Sequence, residues 1–182
     1  MSVREVKLLG EPVLRKRADE VQLQINSDAS AQMPKFEMTD DLRKLIADMF
    51  DTMYAEEGIG LAAPQIGESV RVIVVDPHEE GVEPFALVNP RITEFSDETD
   101  RAEEGCLSVP GLREVVERPM QVVVEGIDPA GRPTRIEAGG LVARILQHEV
   151  DHIDGIMFLD RVSPLKRKML LKKWQKVKPD AE

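Results

Sequence analysis

Gln147-His148-Glu149-Val150-Asp151-His152 places two histidines one helical turn apart, with a glutamate beside the first. Residues four apart on a helix share a face, so both imidazoles can reach a single ion. A carboxylate next to the first ligand can take a proton from a water activated by that ion without being a ligand itself. This is the chemistry of a metal-dependent hydrolase, with His148 and His152 as ligands and Glu149 as general base. Two ordinary helix histidines would give the same spacing, but the chain has three histidines and two of them flank this glutamate.

A hydrolytic ion wants three protein ligands and one open position. In the extended zinc-protease pattern the third ligand is a histidine beyond the second. That position is Phe158, although Gly155 fits the glycine of the pattern. The other protease version needs a downstream glutamate, and the one glutamate after His152 is Glu182. The third ligand is therefore expected upstream, from His78, the single cysteine Cys106, or a carboxylate. His78 lies among Asp76, Pro77, Glu79, Glu80 and Gly81, a polar stretch that reads as an exposed loop. Cys106 follows Gly105, which permits close backbone approach. A lone cysteine is usually a small hydrophobe. Beside an unfinished Cys/His site, thiolate ligation is the better reading, and Cys106 is the expected third ligand.

These residues need a scaffold. Leu141, Val142, Ile145, Leu146 and Ile153 give the motif helix an apolar side, and Gly155 ends it. After Thr39 or Asp40, the apolar residues Leu42, Leu45, Ile46, Met49, Phe50, Met53 and Tyr54 predict an amphipathic helix. The Gly-rich stretch 58–67 lacks the Gly-Lys-Ser/Thr ending of a phosphate loop. It reads as a turn where main chain approaches a ligand, with Gln65 its polar donor side chain, leading into a strand at 70–75. Further strands are expected at 85–89, 91–95, 113–116, 121–126 and 134–137, with turn signals between them. Residues 26–38 read as a polar loop, and Ser163-Pro164 opens a last helix. The order of elements predicts an α+β fold: antiparallel β-sheets around the central metal-binding helix, with an N-terminal amphipathic helix and a C-terminal helix.

The 182 residues are most simply one catalytic domain, 1–182, with 161–182 a basic C-terminal helical tail. No apolar run reaches the roughly eighteen residues of a membrane span, and the N-terminus has no signal-peptide core. A single cysteine makes no internal disulfide, so a reducing, cytoplasmic setting is expected. The net charge of −10 argues against general or sequence-specific nucleic-acid binding. Residues 161–178 nevertheless carry +8, which leaves −18 on the remainder. A basic tail on an acidic body fits a polyanionic partner that touches only the tail; a merely solvated helix face fits the charge equally well.

Three stretches together resemble the signature motifs of peptide deformylases: Gly-Ile-Gly-Leu-Ala-Ala-Pro-Gln at 58–65, Glu-Gly-Cys-Leu-Ser at 104–108, and the Gln-His-Glu-x-Asp-His motif. The resemblance runs from the segment at 9–14 to the basic tail. It implies hydrolysis of the N-formyl group from the initiator methionine of nascent peptides, with release of formate. It also implies one divalent ion on Cys106, His148 and His152, most often Fe2+, although the donor set also suits Zn2+, Ni2+ or Co2+. By the same resemblance the Gln65 side chain and the Leu107 backbone N–H donate to the developing oxyanion. The Ile59–Gly60 main chain would pair with the peptide, and Gly105, Arg113 and Leu141 would border the methionine side chain. The motif alone leaves two rivals: a different metallopeptidase, or a non-catalytic ribosome-associated protein with a structural metal. Arg144, one turn before His148, is unusual on a buried helix and is expected at the pocket mouth or in solvent.

Overall fold

A computed structural model describes residues 2–26 and 35–178 of the chain. Helix α1 spans Asp40–Ala55. Thr39 starts it by accepting a hydrogen bond from the Leu42 N–H at 3.2 Å, and Asp40 and Asp41 complement the positive end of its dipole. Leu42, Ile46, Met49 and Met53, spaced three and four apart, are buried in one row.

The main sheet has five antiparallel strands: β3 (Gly60–Ala62), β4 (Val72–Val75), β5 (Phe85–Phe95), β8 (Gln121–Ile127) and β9 (Pro133–Gly139), in the spatial order β3-β4-β5-β8-β9. Side chains alternate across it. Val72, Val74, Ala86 and Val88 meet α1 on one face, while Ile73, Val75, Leu87 and Val124 meet the motif helix on the other. With both faces covered, all four residues of β4 are buried, which is why that strand reads as a continuous apolar run.

The motif helix, α2 (Gly140–Ile153), follows β9 directly and lies across this sheet. Gly155 stops it with φ +76°, and a Cβ there would stand 2.8 Å from the Arg15 carbonyl oxygen. Glycine therefore lets the N-terminal segment close over the helix end. Strands β6 (Thr99–Gly105) and β7 (Arg113–Pro119) form a separate hairpin. It packs through Val109, Leu112 and Val116 on Leu14, Phe158 and Leu159, and on Leu170 and Trp174 of helix α3 (Pro164–Val177).

The α+β class with antiparallel sheets and three helices agrees with the sequence. Several details differ. The strands expected at 85–89 and 91–95 are one strand, β5, kinked where Asn89 takes φ +52°. There the Asn89 side chain bonds the main chain of Val21 through both its oxygen and its nitrogen. The stretch read as a Gly-rich turn contains strand β3. The polar segment read as a loop pairs at its ends, β1 (Ile25–Asn26) with β2 (Lys35–Phe36); residues 27–34 lie outside the described residues. Among the described residues no helix is long and apolar enough to cross a membrane.

Candidate metal centre

Cys106 stands at the end of β6, where the Val109 N–H donates to its carbonyl at 2.9 Å and tightens the turn. That turn carries its Sγ to within 3.2 Å of His152 Nε2, which lies 3.2 Å from His148 Nε2. Of the candidates weighed in the sequence, His78 is in an exposed loop beside Asp76, while Cys106 joins the two helix histidines. The three donor atoms all lie within 4.8 Å of one another. Two nitrogens held about 2 Å from one tetrahedral ion stand roughly 3.3 Å apart, so the spacing fits a shared ion. Burial opposes charge on His148, yet contacts with Cys106 and Glu104 raise its pKa well above the ordinary value. Burial and the neighbouring His148 push His152 well below it. One thiol and two imidazoles are a donor set that suits a divalent ion.

The orientation of His148 is set from outside. Its Nδ1 lies 3.0 Å from Glu104 Oε2 and donates there when Nε2 faces an ion. Glu104 is buried and clamped: Arg118 donates to both of its oxygens at 2.6 and 2.9 Å, and Arg144 to Oε1 at 2.7 Å. Burial works against this carboxylate's charge, but His148 and Arg118 hold its pKa far below the usual range. Arg144 also donates to the carbonyls of Val116 and Asp100. It therefore ties α2 to the β6–β7 hairpin and, with its side chain 11% exposed, is not free in solvent.

Glu149 is 4% exposed, and its Oε2 has no hydrogen-bond partner among the described residues. Burial pushes its pKa up to about 7, with Glu104 and Asp151 adding to the rise. Its carboxylate lies against Gly60: a Cβ on that glycine would stand 2.5 Å from Glu149 Oε1 and 2.8 Å from Ile145 Cγ2. Gly60→Ala should therefore displace the carboxylate. An error near 1 Å at a reacting group commonly costs about 100-fold. We expect kcat to fall by at least about tenfold with the metal retained, as read by steady-state kinetics and metal analysis. An unchanged kcat would show that the carboxylate's position does not matter.

Gln65 is buried, with Oε1 accepting from the Ala62 N–H at 2.8 Å. That bond turns its Nε2 towards Ser108 Oγ at 3.2 Å and Cys106 Sγ at 3.6 Å. Leu107 follows Cys106 in the same turn, its Cδ1 close enough to Gly58 that a Cβ there would stand at 2.9 Å. Of the residues expected near substrate, Ile59 and Leu141 are partly exposed, at 37% and 38%. Gly60 is buried in β3, and the Arg113 Cγ would stand 3.4 Å from a Cβ on Gly105. Ligand spacing in the sequence does not mark Glu104, Arg118 and Asp151 as parts of the site. The signal was present in part, since Glu104 opens the Glu-Gly-Cys-Leu-Ser stretch and Asp151 lies between the two histidines.

The polypeptide deformylase family model matches residues 3–168. A peptide deformylase from Brucella suis is 45% identical over 97% of this chain and 94% of its own length. The crystal structure of a Legionella pneumophila peptide deformylase superposes with a TM-score of 0.84 at 41% identity, covering 97% of this chain and 96% of that one. The Ehrlichia chaffeensis peptide deformylase in complex with actinonin gives 0.84 at 35% identity, over 99% and 100% of the two chains. Neither rival reading has such support. With the motifs, the convergent Cys/His/His donors and likeness along nearly its whole length, the chain belongs to the peptide deformylase family.

Proposed function

We propose that Cys106, His148 and His152 hold one divalent ion, ferrous iron in the cell, and that Glu149 moves the proton in the hydrolysis. The reaction is removal of the N-formyl group from the initiator methionine of a nascent polypeptide, releasing formate. The observation that carries this reading is the convergence of one thiol and two imidazoles within 4.8 Å. When bound, the ion polarises the formyl oxygen and acidifies a water.

The chain's own residues supply the remainder. Glu149 takes the attacking water's proton on its carboxylate and delivers it to the amine nitrogen as the C–N bond breaks. Gln65 Nε2, fixed through the Ala62 bond, and the Leu107 N–H donate to the formyl oxygen as it gains charge; losing one such donor commonly costs about 3 kcal/mol. Strand β3 is an edge strand among the described residues, so Ile59 and Gly60 can pair with the peptide as an added strand. The methionine side chain rests among Gly105, the Arg113 methylenes and Leu141.

The test compares formate release from a formyl-Met peptide with cleavage of the same peptide unformylated. Formate from the first and no products from the second are expected; amino-acid release without formate would sink the reading. Metal analysis after anaerobic preparation should find about one iron per chain. The ribosome is the proposed site of action, in the cytoplasm where chains emerge. α3 supports this by exposing Lys168, Lys172, Lys173 and Lys176 beside Leu165 and Met169. Replacing Lys168, Lys172, Lys173 and Lys176 by glutamine should reduce co-sedimentation with ribosomes more than turnover of a short peptide, and equal losses would refute the docking role.

A further inference from the structure

Asp151 sits between the two histidines of the motif, yet its side chain turns away from them. Its Oδ2 accepts from Arg118 Nη1 at 2.8 Å and from Arg161 Nε at 3.0 Å, and its Oδ1 accepts from Arg161 Nη2. Arg118 in turn grips both oxygens of Glu104, and Glu104 holds His148 Nδ1. The result is one unbroken series, Arg161–Asp151–Arg118–Glu104–His148. Arg118, Asp151 and Glu104 in its middle are at least nine-tenths buried. Its outer end, Arg161, is 44% exposed and lies two residues before Ser163, which caps α3.

We propose that Arg161 is a positioning residue for His148: through Asp151 and Arg118, the joint leading into α3 fixes how firmly this imidazole is held towards the ion. The inference rests on the reading of His148 as a metal ligand. A planar guanidinium bridges two carboxylates at fixed angles, so the orientation of Arg118 depends on both of its anchors staying in place. Asp151 is one anchor, and Arg161 locks it from the far side by a bidentate fork. Without that fork, Asp151 and Arg118 gain freedom, and Glu104 follows them. A metal-ligating histidine whose outer partner is loosened holds its ion less well, typically by 10–100-fold when the direct partner is lost. Arg161 lies four contacts from His148, and a smaller effect of roughly three- to tenfold follows.

Metal loss can be followed apart from activity. The full chain loaded with Co2+ would be challenged with excess chelator while the cobalt absorption decays. Arg161→Ala should accelerate the decay by about three- to tenfold. Arg161→Lys, which keeps the charge without the fork, should lie nearer Ala than the unchanged chain. Arg167→Ala is the control, because it breaks the 3.0 Å contact between α3 and Asp160 without touching Asp151. Rates for Arg161→Ala equal to those of the unchanged chain would overturn the proposal. So would equal acceleration by Arg161→Ala and Arg167→Ala, since loosening the segment would then suffice. An unchanged chain that takes up no cobalt would remove the metal reading itself, and the relay with it. Partial unfolding of Arg161→Ala would show as a lowered Tm, and Arg161→Lys then decides by the same rates.

Discussion

Glu149→Gln should lower formate release by roughly 10²–10⁴-fold, the usual range for a lost general base, while leaving the metal content at one per chain. The amide is nearly the same size as the carboxylate, so packing against Gly60 and Ile145 is kept. What is lost is an oxygen that can take a proton and return it. The fold should not suffer. Glu149 is buried with an oxygen unpartnered among the described residues, so its charge is held at a cost in stability. Removing that charge should leave Tm unchanged or raised, the opposite sign to the effect on turnover. Kinetics, metal analysis and a thermal scan on one preparation separate the two. If metal and activity vanish together, Glu149 is a structural residue and the proton must be carried elsewhere.

Arg118→Met should be the most damaging single change to stability. Arg118 is 3% exposed, and its guanidinium lies between the carboxylates of Glu104 and Asp151. Removing one partner of a buried ionic group strands the others, at about 3–5 kcal/mol. For a chain of this size each kcal/mol moves Tm by about 2–4 °C, so a fall of roughly 6–20 °C is expected. Methionine fills much of the volume, which isolates the charge. Arg118→Lys should rescue little, because a point ammonium cannot bridge two carboxylates as the planar fork does. A shift within 2 °C or so would mean that water or Arg144 and Arg161 compensate fully.

The helices were legible because their evidence is local. Thr39 followed by a row of apolar residues at three-four spacing specifies α1, and Ser163-Pro164 does the same for α3. The ligand helix was legible for a chemical reason, since few arrangements other than a helix bring His148 and His152 to one ion. The β6 strand was not. Thr99, Asp100, Arg101, Glu103 and Gly105 are exposed, so no apolar alternation marks it, and pairing with β7 alone makes it a strand. Arg144 was misplaced because a charged residue on a buried helix invites a solvent reading. Its partner Glu104 is forty residues distant and unreadable from spacing. Asn89 escaped for a similar reason: its positive φ is held by the main chain of Val21. Long-range polar partners decide such positions, and periodicity carries no record of them.

Among the described residues the β6–β7 hairpin shares no strand pairing with the five-stranded sheet, and Cys106 follows directly on β6. An ion held by Cys106 and His152 therefore joins points 46 residues apart in the chain. In a sequence with one cysteine, it would act as the cross-link that a disulfide would otherwise be. Closing a loop of that length removes about 4 kcal/mol of entropy from the unfolded chain, if a metal clip is counted like a disulfide. The ion would then be a staple as well as a reagent, and a chain that loses it surrenders mechanical integrity along with its chemistry.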